Sequence, residues 1–213
     1  MQLMNECFSN DDPSIDWTLR HGRSAVLSVA LKEAPAEVYR PEWRDRLHRV
    51  LLSYLAADRV PIVSNAIRAM GFLFTYLATT GRTEGTVSFP LSIAQPFAKT
   101  LNHASNEVKQ LVAQSSHYVG RHVDGVLPAD FLKVLLPQLV NGTKEKNTAV
   151  RSGCEVALVT LLRLRHGANG DDCVKLLEPG ARESLSEVIG KSLRKLAGQP
   201  EAKEEELDAT LVS

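Results

Sequence analysis

Apolar positions recur at three- and four-residue steps in successive stretches of the chain, and polar or proline-bearing segments separate the stretches. Trp43, Leu47, Val50, Leu51, Tyr54 and Leu55 predict an amphipathic helix over residues 41–57. Val63, Ile67, Met70, Gly71 and Phe74 share one face of a second helix over 61–79. The same periodicity predicts helices over 16–32, 90–101, 107–122, 128–140, 148–166 and 181–196, with a short one over 173–177. Asp16, Asp58, Asn106 and Asn147 stand where an N-cap or turn is wanted. Ala34-Pro35, Asn141-Gly142, Gly167 to Gly170 and Pro179-Gly180 read as stops. Pro41 suits a first helical turn, and Pro96 predicts a kink or a late start. Gly71 costs helix propensity, which predicts a close approach by a neighbouring helix. Gly81 to Ser88 reads as a polar loop.

A longer period overlies the helical one. Leu19-Arg20, Val63-Ser64, Val108-Lys109 and Val150-Arg151 each open an amphipathic run, at spacings of 44, 45 and 42 residues. Two helices per unit at a period in the low forties point to HEAT or armadillo repeats. No period-two alternation bounded by turn signals suggests a strand. The predicted fold is therefore all-α: a solenoid of stacked antiparallel helix pairs over 1–197, wound right-handed. A half repeat spans 1–34, full repeats span 41–79, 90–122 and 128–166, and terminal helices span 171–197. Residues 198–213 are polar and rich in Glu, which predicts a disordered acidic tail. Leu3, Met4, Cys7 and Phe8 lie at helical spacing without an N-cap, as if the chain began inside a longer array. With the apolar residues near Trp17 they predict an edge open to self-association.

Composition narrows the function classes. Lys plus Arg and Asp plus Glu both number 25, so the net charge is zero, which argues against non-specific coating of DNA. Aromatic residues make up 6% of the chain, as expected where Leu, Val and Ala fill the seams. Cys7, Cys154 and Cys173 are an odd number without CxxC spacing and read as reduced thiols. The pattern shows no uninterrupted apolar run of membrane-spanning length and no signal peptide at its start.

No motif for catalysis or a cofactor stands out. His117 and His122 are five apart rather than the four that would align two metal ligands on a helix. The other histidines fall in different units. Gly81 to Gly85 is flanked by glycines but lacks the lysine ending of a phosphate loop. Cys154 beside Glu155 reads as packing, because nothing in the spacing supplies a base. No enzyme, metal or cofactor is expected. The constellation above background is basic. Arg20, Arg23, Arg68, Lys109 and Arg151 occupy related places on successive second helices. Stacking would line equivalent positions into a ladder able to hold an acidic partner. Arg23, Arg68 and Lys109 are the expected partner-binding residues. Arg20 and Arg151 are equally suited to bonding the next repeat.

Ile15 to Ala25 (Ile-Asp-Trp-Thr-Leu-Arg-His-Gly-Arg-Ser-Ala) and Ala57 to Ile62 (Ala-Asp-Arg-Val-Pro-Ile) carry a family resemblance. They resemble the C-terminal part of the general control nonderepressible translational activators. Arg20-His21-Gly22 is the distinctive element, and the Val60-Pro61 corner is common to many HEAT proteins. The resemblance is densest over residues 15 to 75. It implies a cytosolic, ribosome-associated scaffold without enzymatic activity. It also implies partners that carry RWD domains: the starvation-responsive kinase of initiation factor two and its RWD-containing competitors. The family's kinase-binding arginine is not carried onto Arg20 or Arg23. The competing reading is a generic HEAT adaptor for transport or cytoskeletal assembly, holding a peptide or helix in its concave face.

Overall fold

A computed structural model of the chain describes residues 16–83, 88–123 and 127–163, with a few positions between 179 and 186. Among these residues the regular structure is helical. The helices are α1 (Trp17–Glu33), α2 (Pro35–Val38), α3 (Arg44–Leu55), α4 (Val60–Thr83), α5 (Leu91–Lys99), α6 (Asn106–His122), α7 (Ala129–Gly142) and α8 (Thr148–Arg163). Single 3-10 turns at Pro41–Trp43 and Thr100–Asn102 open α3 and close α5.

Local chemistry sets most boundaries. Asp16 Oδ1 accepts from the Thr18 amide at 3.0 Å and starts α1. Pro35 restricts Ala34, so α1 stops, and the chain turns once more as the short helix α2, which the apolar pattern did not predict. Asn147 Oδ1 accepts from the Ala149 and Val150 amides at 3.0 and 3.1 Å and starts α8. The cap expected at Asn106 is corrected. Asn106 is already helical, Ser105 is the N-cap residue, and the Ser105 amide donates to His103 Nδ1 at 2.9 Å.

Helix α4 outruns its expected end at residue 79, and Gly81 is buried in its last turn rather than in a loop. Thr75 and Thr79 donate their hydroxyls to the carbonyls one turn back, at 3.0 and 2.9 Å, so polar residues continue the helix without leaving it. Its stretch Val60–Gly81 is long and apolar enough to cross a membrane by length and composition, contrary to the sequence expectation. The physical reason is burial on several sides: two-thirds of that stretch lies inside the protein, packed against α1, α3 and α6.

The pairs α3/α4, α5/α6 and α7/α8 stack in two layers. One layer runs α1, α4, α6, α8, and the other runs α3, α5, α7. Repeats are expected at 41–79, 90–122 and 128–166, and the described helix pairs run from Arg44 to Thr83, from Leu91 to His122 and from Ala129 to Arg163. The half repeat's first helix, the segment after residue 163 and the tail from 198 lie outside the described residues, although Pro179 and Gly180 are themselves helical. Within the second-helix layer, successive helices touch through small residues. A Cβ on Gly71 would sit 3.2 Å from Ser115 Cβ, and one on Gly120 would sit 3.1 Å from Thr160 Cγ2. Either side chain would push neighbouring helices apart.

Between the layers, Phe74 lies 5.1 Å from Phe89, 5.3 Å from Phe97 and 5.0 Å from Phe131, centroid to centroid. Four of the chain's six phenylalanines thus meet where α4, α5 and α7 converge. Leu, Val and Ala fill most of the core, but its centre is aromatic.

Candidate protein-interaction face

The basic residues of the second helices do not form one ladder. Aligning Leu19, Val63, Val108 and Val150 puts Arg20, Ser64, Lys109 and Arg151 in one register. Arg23 falls in the register of Ile67, Val112 and Cys154, all at 0% exposure, and Arg68 falls in that of Ser24 and Ala113.

Two of the cations serve the seams, and a third serves its own repeat. Arg20 Nη2 donates to Ser53 Oγ at 3.0 Å, and its guanidinium lies 5.8 Å from the Tyr54 ring centroid, so α1 is tied to α3. Lys109 Nζ donates to Glu145 Oε1 at 2.7 Å, which ties α6 to the turn after α7. Arg151 Nη1 donates to the Glu145 carbonyl at 3.4 Å, and Nη2 reaches Thr148 Oγ1 at 3.5 Å. Lys109 and Arg151 therefore converge on one residue. The exposure expected of Lys109 is corrected: its side chain is 13% exposed, because the lysine stem packs across the seam to reach Glu145.

Arg23 is half-buried on α1. Arg68 is half-buried on α4, and among the described residues no hydrogen bond reaches its buried Nε. Burial pulls its pKa below the ordinary arginine value, and the nearby Glu107 carboxylate opposes that shift. The expected partner-binding set is thus split between a seam lysine and two half-buried arginines in different registers.

Other polar groups went unremarked in the sequence. Asn65 Nδ2 donates to Ser24 Oγ at 3.0 Å, and Ser24 Oγ donates to the His21 carbonyl at 2.8 Å, giving a buried link between α1 and α4. His117 Nδ1 meets Thr160 Oγ1 at 2.8 Å between α6 and α8. The Thr160 hydroxyl also donates to the Val156 carbonyl at 3.0 Å, so one hydroxyl joins the two helices at this point. His117 is therefore a seam histidine. Arg59 lies over the Trp17 ring at 5.6 Å and Arg44 over Tyr39 at 4.9 Å. Arg44, Arg46 and Arg49 are exposed on the first helix α3, whereas the basic pattern had been sought on second helices alone. The i, i+3 spacing of Arg46 and Arg49 was the available signal.

Cys154 is at 0% exposure against Gly142, and burial pushes its thiol up to about 12, with the Glu145 and Glu155 charges adding to the rise. A thiol so raised is not a nucleophile at neutral pH. Among the described residues no group of three His, Cys, Asp or Glu could hold a metal ion.

Comparison with known proteins agrees with this geometry. The solved structures it resembles include an engineered protein, at 15% identity and TM-score 0.55, covering 98% of this chain and 92% of the other. A designed armadillo repeat protein matches at 13% identity and TM-score 0.53, covering 99% and 97%. These establish the repeat fold. The human and mouse proteins named "Stalled ribosome sensor GCN1" are each 32% identical over 210 residues, 98% of this chain. The chain spans 8% of the length of those relatives. The profile of the family described as "Stalled ribosome sensor GCN1-like, HEAT repeats" matches residues 1–211, and the chain belongs to that family.

Proposed function

We propose that this segment is a non-catalytic interaction scaffold within a stalled-ribosome-sensing solenoid. The observation that carries the reading is the family match over residues 1–211 of a helical array whose described core groups are packed rather than poised for reaction. On this reading the protein acts in the cytoplasm on ribosomes. It helps activate the initiation factor two kinase, with the RWD domains of that kinase and of related proteins as partners. The acidic partner surface meets the face that bears Arg68, with Arg23 and Lys109 as the further partner-binding residues of this reading. A guanidinium held half-buried, with a carboxylate only at longer range, favours an incoming acidic group and supports this placement.

Recovery from lysate, with and without a ribosome-dissociating salt wash, tests the scaffold role. Ribosomal proteins and kinase components should be recovered together, and salt should separate them. Arg68→Glu should reduce kinase recovery several-fold while leaving the circular dichroism of the chain unchanged. Full recovery of the kinase by the folded variant refutes the assignment to Arg68. Recovery of transport or cytoskeletal proteins without ribosomes refutes the broader reading.

A further inference from the structure

Gln138 stands twelve residues before Val150, and Asn102 stands six before Val108. Asn102 Nδ2 donates to Gln138 Oε1 at 2.9 Å, which bridges α7 and the 3-10 turn that closes α5. One repeat earlier the same two positions hold Pro96, twelve before Val108, and Ala57, six before Val63. Neither side chain can make that bond. Between the ends of α3 and α5 a groove of about 470 Å³ stays open, and both of its walls belong to described residues. Leu52, Leu55 and Ala56 form one wall, and Pro96 gives the apolar part of the other. Leu52 and Leu55 rest on the core but are only half-buried.

Donors dominate the polar lip. The Ser105 amide donates to His103 Nδ1 at 2.9 Å, so the neutral imidazole carries its proton on Nε2. The carbonyls of Leu52, Tyr54, Pro96 and Thr100 already accept bonds within the chain. Lys99 is exposed on the rim, and Arg49 is exposed one turn before Leu52 on α3. Neither makes an ion pair among the described residues. No carboxylate lines the groove, since Asp45 and Asp58 stand outside it. We infer that the groove is a docking site for an acidic, amphipathic helix of a partner protein. Apolar side chains one turn apart on that helix fill the space beside Leu52, Leu55 and Pro96, and carboxylates on its flanks reach Lys99, His103 and Arg49. Arg49 to Ala56 spans roughly 10 Å of helix, so two to three turns of the partner suffice. A nucleic acid fits poorly, because the walls offer aliphatic carbon in place of an aromatic stacking surface. A small molecule would stay largely in water in so open a groove. The site lies on the first-helix layer and does not depend on the assignment to Arg68.

The test titrates the full chain with a fluorescein-labelled peptide of about three helical turns, with leucines four residues apart and glutamates on the flanks. Two control peptides replace its glutamates with lysine or its leucines with alanine. The acidic peptide should raise the anisotropy saturably, both controls should bind several-fold more weakly, and salt should weaken the acidic peptide. Lys99→Glu should lower its affinity roughly tenfold, as one lost charge-assisted contact implies. Pro96→Gln with Ala57→Asn restores the bridging pair and closes the groove, so binding should be lost while the circular dichroism holds. Absence of saturable binding, equal binding of either control, unchanged affinity in Lys99→Glu, or binding that survives the closing pair in a folded chain overturns the inference. Tighter peptide binding after removal of residues 198–213 also overturns it, in favour of the chain's own Glu-rich end as occupant. A dimer that the acidic peptide dissociates in light scattering overturns it in favour of a second copy.

Discussion

Phe74→Ala is the perturbation that most directly tests the packing. Phe74 is at 0% exposure and touches three other rings, Phe89, Phe97 and Phe131. Removing a buried phenylalanine ring costs about 3 to 5 kcal/mol when the site cannot collapse. Collapse is obstructed here, because Phe89 and Phe131 already brace each other at 4.8 Å on the far side of the gap. Ring-on-ring terms of about 0.5 to 1.5 kcal/mol each overlap with that figure and are not added to it. For a chain of this size each kcal/mol shifts the midpoint by about 2 to 4 °C, so the melting temperature should fall by roughly 6 to 20 °C. The residue joins α4 to two first helices, so the transition should also broaden as neighbouring pairs uncouple. Calorimetry and circular dichroism report both effects. Val29→Ala, at 59% exposure, is the control and should change stability by less than about 0.5 kcal/mol. A loss under about 1 kcal/mol for Phe74→Ala, with sharpness retained, would refute the aromatic junction as the centre of the core.

Gly120→Leu drives a side chain into Thr160 and Leu161, and urea titration should show a loss of at least about 1 to 3 kcal/mol. Glu145→Gln removes the charge partner of Lys109. Because Glu145 is one-third exposed, the expected loss is only about 1 kcal/mol, and it should shrink at high salt. Cys154 should resist a thiol reagent at neutral pH until the chain unfolds. Its thiol is raised from 9.0 to about 12, so the unfolded chain ionises first. The associated stability is intact below pH 9 and is lost as the pH climbs toward 12, and Cys154→Ala should flatten that slope. Rapid labelling of Cys154 in the folded chain, or an unchanged slope in the variant, would contradict the burial argument.

The architecture was legible because helical periodicity and the longer repeat are both written in apolar side chains. Gly71 declared its close contact for the same reason: a glycine inside a strong helix demands a compensation. The boundaries were less legible where side chains bond the backbone. Gly81 looks like a loop residue in composition, yet it lies in the last turn of α4, beyond the Thr75 and Thr79 hydroxyls that fold back onto the helix. The aromatic centre was hidden by its spread along the chain, since Phe74, Phe89, Phe97 and Phe131 meet only after three helices converge. The basic face was the least legible. Position along a helix indicated which cations belong to one register, but not whether a carboxylate stands opposite. Glu145 lies 36 residues from Lys109, and only the fold brings them to 2.7 Å.

That pairing changes what the basic positions mean for a solenoid. An apolar seam between two long helices tolerates a shift by one turn, because one set of leucines and valines packs much like the next. Polar pins do not tolerate it. Asn65 with Ser24 and His117 with Thr160 lie within the second-helix layer, while Arg20 with Ser53 and Lys109 with Glu145 join that layer to the next pair. Sliding a seam by a turn would strand these donors, at a cost of about 1 to 3 kcal/mol for each buried group left unsatisfied. The apolar residues supply the attraction between repeats, and the polar ties select one register from several. Arginine and lysine therefore recur at the head of the second helices for a reason internal to the array, and recurrence alone does not mark a cation as a partner contact. Arg68 stands outside that register, and burial pulls its pKa down with only the Glu107 charge opposing the shift, which is why the functional proposal rests on Arg68 rather than on the recurring positions.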